Sequence, residues 1–327
     1  MKRIFVTGGA GYIGSHACKA LAKAGFEPVA FDNMESGNPD AVKWGPLEVG
    51  DIRDKERLQD ALTSYRPDAI LHFAAYIQVE ESVTNPGKYY ENNVLGTLCL
   101  LEAMRATRIE TIVFSSTAAV YGMPRSIPVT EDEPLAPINP YGESKRMSET
   151  ILADYGRAHK FNWAALRYFN AAGADHEGEL GPNHEPVTHL IPLVLRAALG
   201  TGRRLTVFGT DYDTPDGTAV RDYIHVDDLA TAHIAALEYL SRGGASDAFN
   251  LGAGHGYSVQ DVIETTAQIL ETDIPTVGGA RRAGDAPVLV ADPGKAKSAF
   301  GWKPQHSSLE SIIATAAGWE RKRPIAR

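Results

Sequence analysis

Tyr141 and Lys145 stand four positions apart in Tyr141-Gly142-Glu143-Ser144-Lys145, at the start of a stretch with helical periodicity. Side chains at that spacing share one face of a helix. A free phenol ionises near pH ~10 and is a poor base at neutrality. An ammonium beside it favours the phenolate and lowers that value. Such a pair can take the proton from a substrate hydroxyl. The spacing alone is common by chance, and the bland alternative makes Tyr141 a packing aromatic and Lys145 a solvated helix-face charge. The segment upstream adds weight. Ser115-Ser116-Thr117 closes an apolar strand, at the end where open parallel sheets place their sites. From there the Thr117 hydroxyl can bond the same substrate hydroxyl and help relay its proton.

A second constellation lies at the N-terminus. Thr7-Gly8-Gly9-Ala10-Gly11-Tyr12-Ile13-Gly14 follows a strand and opens a helix. Gly9, Gly11 and Gly14 fit G-x-G-x-x-G; Gly8, Gly11 and Gly14 fit the related G-x-x-G-x-x-G. Side chains there would obstruct the turn, the approach of a pyrophosphate to backbone N–H groups, and helix–strand packing. Asp32 ends the second strand, close to the spacing of about 20 residues at which a carboxylate meets the adenosine ribose. It would accept from the ribose hydroxyls and repel a 2′-phosphate, so NAD is expected rather than NADP. Asp51-Ile52, ending the third strand, can reach the adenine; a solvated turn residue is the alternative for Asp51. Oxidised NAD gives Tyr141 a second cationic neighbour, and hydride can leave the carbon whose hydroxyl Tyr141 deprotonates.

The elements that must position these groups alternate. Residues 4–7, 28–31, 46–49, 69–73 and 111–115 read as strands. Periodic stretches at 13–24, 55–65 and 89–107 lie between them, a helix is expected over about 141–159, and a further strand over 162–168. This alternation predicts an α/β fold with a Rossmann-type doubly wound parallel sheet. After Asn170 the texture changes. Residues 170–187 are rich in Gly, Asp, His and Pro, as in a long functional loop. Short apolar runs follow at 205–208 and 248–251, then an interrupted helical region at 309–321. The 327 residues are long for one core. We expect an NAD-binding domain over 1–170 with a returning segment near 219–245, and a smaller α/β substrate domain from about 171–218 and 246–327.

Composition bounds the partners. A formal net charge of −9 repels phosphate backbones and argues against nucleic acid. No 18-residue apolar run and no signal-peptide pattern occur, so no membrane span is expected and the cytoplasm is the expected location. Cys18 and Cys99 sit in helical segments and read as free thiols. The ten histidines are scattered without H-E-x-x-H or a cysteine cluster, so no metal is expected. His184 and His189 read as part of the substrate loop.

Taken in order, these segments resemble the extended short-chain dehydrogenase/reductase family and, within it, the UDP-galactose 4-epimerases. The likeness runs through residues 7–16, 51–53, 72–75, 89–97, 114–122, 140–145, 166–170, 208–212, 217–229, 250–254 and 281–285, nearly the whole chain. The resemblance implies an NAD site lined by Gly11, Tyr12, Ile13, Asp32, Asn33, Ser36, Gly37, Asp51, Ile52, Phe73, Ala74, Ala75, Asn93, Lys145 and Tyr168. It implies a UDP-sugar site formed by Asn170, His189, Leu190, Thr206, Phe208, Arg221, Tyr223, Arg282 and Asp285, beside Thr117 and Tyr141. Arg221 and Arg282 would fork onto the diphosphate against the negative field of the whole; for Arg221 an ion pair with Asp222 or Asp227 is the alternative. Phe208 would lie near the uracil and Asp285 on the uridine ribose. The implied reaction inverts carbon 4 of a UDP-linked hexose with NAD retained. The implied assembly is a homodimer built on the helices near 89–107 and 141–159. Ile77 and Glu80 depart from the usual lysine and glycine of relatives, and Leu289 stands where many bacterial relatives have a sugar-limiting tyrosine. Dehydratases place an acidic pair after the catalytic threonine, and decarboxylases keep a glutamate in that segment. Ala118 and Ala119 stand here instead, which disfavours both. UDP-pentose and UDP-N-acetylhexosamine 4-epimerases need the same machinery, and a non-catalytic NAD-binding protein would have no use for Thr117, Tyr141 and Lys145 together.

Overall fold

Ile4 and Val6 pack on one face of a sheet and Phe5 on the other, and the same alternation runs through its neighbours. Ala69, Leu71, Val113, Ala164 and Leu166 join the first face. Ile70, Ile112, Phe114 and Ala165 join the second. Strands buried on both faces belong in a parallel sheet covered by helices on each side. The computed structural model, which describes residues 2–183, 187–282 and 284–322, has such a sheet. Its seven strands run in the order Asp247–Leu251, Asn162–Tyr168, Thr111–Thr117, Ala69–His72, Arg3–Thr7, Glu27–Asp32, Leu47–Val49, and every pairing is parallel. Strand order reverses between Arg3–Thr7 and Ala69–His72, the switch point where doubly wound sheets bind ligands.

Helices Tyr12–Lys23 and Val226–Ser241 cover the first face through Ala17, Cys18, Leu21, Leu229 and Leu237. Lys55–Tyr65, Gly96–Thr107 and Pro140–His159 cover the second through Leu58, Leu62, Leu100, Met104 and Leu152. The helical stretch expected over 89–107 is interrupted: Tyr90–Leu95 winds as a π-helix before Gly96–Thr107. The Asn93 carbonyl accepts from the hydroxyls of Thr97 (2.6 Å) and Ser148 (3.2 Å). Side-chain donors of this kind satisfy the irregular turn internally.

A third core gathers Ile191, Val194, Leu195, Val207, Tyr223, Val262, Ile263, Ile312 and Ile313. Small sheets frame it. Leu205–Phe208 pairs with Thr276–Gly279, Val220–Arg221 with Tyr257–Ser258 and Val288–Leu289, and Asn170–Ala172 with Tyr223–His225. One boundary differs from the expectation. The strand Asp247–Leu251, assigned by sequence to the smaller unit, is the edge strand of the large sheet. Its Phe249 and Leu251 complete the first-face core together with Ala296, Phe300 and Trp302 from beyond it. Cys18 and Cys99 are free thiols, and burial pushes the Cys18 thiol up to about 12. Among the described residues, no helix is long and apolar enough to cross a membrane.

Candidate active site

The glycine segment occupies the carboxyl end of Arg3–Thr7, at the switch point. Gly8 adopts φ +71°, and a Cβ there would stand 2.7 Å from the Ala74 backbone nitrogen, so the turn nests against the Phe73–Ala74 backbone. At Gly14 a side chain would drive into the Gly8 carbonyl, whereas at Gly11 a Cβ would meet only that carbonyl, at 3.2 Å. Helix Tyr12–Lys23 starts at Gly11 with no side-chain cap and no acidic residue in its first turn. Its exposed N–H dipoles suit an anion. Asp32 is buried and accepts from the N–H groups of Ala10 (3.1 Å) and Met34 (2.9 Å). Each oxygen keeps accepting capacity for a diol. Burial raises its pKa and the two N–H groups oppose that rise. Gly37 lies directly against the carboxylate; Ser36 is exposed beside it. These features fit a dinucleotide: a backbone cradle for pyrophosphate and a carboxylate for ribose.

Several expected cofactor contacts carry additional duties. Asp51 is gripped by Arg53 at 2.9 and 2.7 Å and receives Asn33 Nδ2 at 3.3 Å. The Arg53 guanidinium holds its carboxyl down at about 2. Ile52 is buried against Gly96. Tyr12 donates its hydroxyl to the Gly173 carbonyl (2.6 Å), and Ile13 packs on the first-face core. Phe73 stacks 4.6 Å from His233, and half-buried Ala75 follows Ala74 toward Tyr76. Asn93 spends its amide within the protein. It donates to the Tyr76 carbonyl and the Ser144 hydroxyl, both at 3.0 Å, and accepts from Tyr76 N (2.9 Å) and Asn92 Nδ2 (3.0 Å). It thus ties the loop after Ala69–His72 to the start of the Tyr141–Lys145 helix.

That helix, Pro140–His159, begins where sequence chemistry dictates. Asn139 caps it by accepting from Gly142 N (2.8 Å), proline occupies its first turn, and Arg157 and His159 face its C-terminal dipole. Tyr141 therefore lies in the first turn. Gly142 lets this turn press on the Thr117 side, since a Cβ there would stand 2.5 Å from the Ala119 carbonyl. Thr117 accepts from Ala119 N at 3.2 Å and starts the short turn Ala118–Val120. Tyr141 is 9% exposed. Burial pushes its phenol above the usual value, and the Thr117 hydroxyl draws it back. Lys145, 3% exposed, donates to the Ser115 carbonyl at 2.8 Å and lies over the Phe114 ring at 4.8 Å. Burial pulls its ammonium down to about 7, opposed by Glu149. At Tyr141 burial therefore outweighs the opposing effect of the Thr117 hydroxyl. Tyr168 joins this cluster through a short hydrogen bond between its hydroxyl and that of Ser115.

The expected UDP-sugar residues gather on the small sheets. Thr206 and Phe208 lie on Leu205–Phe208, and the Arg282 guanidinium stacks on Phe208 at 4.3 Å. Arg221 meets neither Asp222 nor Asp227; it pairs with Asp285 at 3.3 Å and donates to the Ala286 carbonyl at 2.8 Å. Asp222 is instead buried and accepts from Ala253, Gly254 and Ala291 N–H groups, with burial raising it to about 6. Asn170 donates to the Asp222 carbonyl (3.0 Å), and Tyr223 is buried. His189 and Leu190 open helix Leu190–Ala198. Gly284 reaches within 3.2 Å of Ile138, counted from an added Cβ, and so abuts the entry to the Tyr141 helix. Leu289 packs with Ala118, Val120, Tyr121 and Val129.

Histidines scattered in sequence do meet. Among the described residues, His176, His225 and Asp227 offer ligand atoms within 4.8 Å of one another. His225 Nδ1 accepts from Asp227 N (3.1 Å), its Nε2 faces Thr315 Oγ1 (3.0 Å), and His176 Nδ1 meets the Asp227 carboxylate (2.9 Å). These contacts engage both His225 nitrogens within the protein. His184 lies outside the described residues. Sequence reasoning also passed over Ser116, Glu149 and Arg167, which form a buried cluster directly behind Thr117 and Lys145. The four-residue spacing from Lys145 to Glu149 is the signal that marks it.

A parallel sheet with a dinucleotide cradle at its switch point, beside adjacent threonine, tyrosine and lysine, defines a dinucleotide-dependent enzyme of the Rossmann class. The chain belongs to the NAD dependent epimerase/dehydratase family, whose sequence pattern matches residues 4–252. It is 51% identical to the UDP-glucose 4-epimerase of Rhizobium meliloti (strain 1021), over 98% of this chain and 97% of that relative. Two solved structures superpose throughout. The UDP-glucose 4-epimerase from Brucella ovis in complex with NAD matches with a TM-score of 0.95 at 48% identity, covering 97% of this chain and 98% of that one. The enzyme from Bifidobacterium longum in complex with NAD+ and UDP matches with a TM-score of 0.94 at 37% identity, covering 100% of both chains.

Proposed function

We propose that this protein is an NAD-dependent UDP-glucose 4-epimerase that interconverts UDP-galactose and UDP-glucose. The observation that carries this reading is the environment of Thr117. Its hydroxyl adjoins the Tyr141 phenol, while the two residues after it are Ala118 and Ala119. The site has a proton-transfer pair for a secondary alcohol and lacks, at those positions, the acid and base that elimination requires. The relatives named above support the same reading.

When bound, NAD would supply the reversible hydride acceptor that inversion of carbon 4 requires. The chain's residues do the rest. Tyr141 accepts the proton of the carbon-4 hydroxyl and gives it back, with Thr117 sharing that hydroxyl. Lys145, fixed on the Ser115 carbonyl, supplies positive charge. Gly8, Gly11 and Gly14 admit the pyrophosphate and Asp32 takes the ribose. Arg221, Arg282, Asp285 and Phe208 anchor the uridine diphosphate, so that the nucleotide stays while the sugar turns. Binding concentrated on the part that does not react leaves the reacting part free to present both faces.

We further place the enzyme in the cytoplasm, in keeping with two unpaired cysteines. We infer a homodimer, supported by Val83, Leu95 and Leu98, which are 61%, 45% and 36% exposed on and before helix Gly96–Thr107. The functional test is direct. Purified protein mixed with UDP-galactose, without added NAD, should form UDP-glucose. No conversion by protein that carries NAD refutes the reading. UDP-N-acetylgalactosamine and UDP-xylose in the same assay read the sugar range.

A further inference from the structure

We infer that Glu149, clamped by Arg167 and Ser116, is a positioning residue for Lys145 and for the strand end that carries Thr117. The inference rests on the reading of Tyr141 and Lys145 as the proton-transferring pair. Glu149 follows Lys145 by one helical turn, on the same face, and is 7% exposed. Its carboxylate accepts the Ser116 hydroxyl through a short hydrogen bond. It also accepts Arg167 Nε at 3.0 Å and Nη2 at 2.6 Å, in a forked geometry. Ser116 immediately precedes Thr117. Arg167 immediately precedes Tyr168, whose hydroxyl bonds that of Ser115, the residue whose carbonyl receives Lys145. One carboxylate thereby joins the helix bearing Tyr141 and Lys145 to two adjacent strands, at residues next to the chemistry.

The network continues past the site. Arg167 Nη1 donates to the Tyr121 hydroxyl (2.9 Å), which donates to Asn250 Oδ1 (2.6 Å), and Asn250 Nδ2 donates to the Val129 carbonyl (2.9 Å). Every polar atom named is satisfied, as a buried network requires. A buried ion pair is weak evidence for stability by itself, so its place beside the catalytic pair asks for another account. Charge supplies one. The titratable and charged groups around the pair and its network are Tyr141 and Glu149 on the same helix, Arg167 and Tyr168 on strand Asn162–Tyr168, His72 on the next strand but one, Tyr89, whose ring lies 6.4 Å from Tyr141, and Tyr121 and Glu131 beyond Arg167. His72 is held neutral by burial, with Lys145 adding to the effect. Glu149 is the charge that opposes burial at Lys145, while Arg167 engages the far side of the same carboxylate.

Glu149→Gln keeps the shape and removes the charge. Without the carboxylate, Lys145 releases its proton at lower pH. The expected result is a kcat reduced about tenfold or more and an alkaline limb of the kcat profile moved down by roughly one pH unit, with bound NAD retained and KM for UDP-galactose within about twofold. Glu149→Gln combined with Arg167→Gln leaves no unpaired guanidinium buried behind the site and should keep the displaced limb. Ser116→Ala, a small change that tests the clamp without touching either charge, should move the limb less and in the same direction. Alkaline limbs that superimpose on the wild type in Ser116→Ala and in whichever of the other two folds overturn the inference, even where rates fall. Failure of the wild type to convert UDP-galactose counts instead against the functional reading.

Discussion

Replacing Tyr141 by phenylalanine removes one oxygen from the centre of the site and little else. The ring is buried, its edge-on contact with Tyr89 at 6.4 Å survives, and the Thr117 side chain is the polar group beside the lost hydroxyl. The cost to folding is therefore at most a single hydrogen bond, about 0.5–1.5 kcal/mol, offset by relief of the phenol's desolvation. The cost to turnover is of another order. A positioned acid–base group contributes roughly 10²–10⁴-fold, equivalent to about 3–5.5 kcal/mol of barrier at ~1.4 kcal/mol per tenfold. Conversion of UDP-galactose to UDP-glucose, followed by chromatography of the nucleotide sugars, should show that loss in kcat. NAD released from denatured protein should stay near one per chain, and the melting temperature should barely move. A variant that holds NAD and turns over within about threefold of the wild type would refute Tyr141 as the base, since acid–base catalysis of this kind cannot contribute so little.

Arg282→Ala removes the guanidinium stacked on Phe208 and should raise KM for UDP-galactose about 10–100-fold, the range for a charge-assisted hydrogen bond, while NAD content stays constant; an unchanged KM removes Arg282 from the diphosphate site. Gly8→Ala places a side chain at φ +71° against the Ala74 nitrogen, a conformation costing about 1–2 kcal/mol before any clash; a lowered melting temperature with reduced NAD content is expected, and full NAD content at wild-type stability counts against the cradle. Light scattering at micromolar concentration should give twice the chain mass, and a monomeric mass rules out the proposed pairing of helices.

The features legible in the sequence were those encoded locally. Gly8–Gly14 follow a strand and open a helix, so their purpose is written in adjacent residues. Tyr141 and Lys145 need only the helical repeat to meet. The strands of the large sheet show as short apolar runs because both faces are buried. What sequence did not show depends on distant partners. Arg221 finds Asp285 rather than its sequence neighbour Asp222, because Asp222 is turned inward to take three backbone N–H groups. The π-helical turn at Tyr90–Leu95 is stabilised by hydroxyls on Thr97 and Ser148, the second from another helix. Asp247–Leu251 joined the large sheet since Phe249 and Leu251 complete its first-face core, which a five-residue run cannot announce. Burial raises the Tyr141 phenol, and burial is a property of the finished fold.

The Tyr141 helix and the glycine turn both spring from the carboxyl edge of one continuous sheet, whereas Phe208 and Arg221 ride on two- and three-stranded patches beside a separate core, with Arg282 and Asp285 between strands Thr276–Gly279 and Val288–Leu289. This division makes the molecule evolvable in parts. Under the proposed function, substitutions around Thr276–Gly279 are expected to retune which sugar nucleotide is accommodated, whereas Leu289 packs on Ala118, Val120 and Tyr121 beside Thr117 and couples the two parts. For an engineer, diversity libraries confined to Thr276–Gly279 explore specificity away from the turn that follows Thr117.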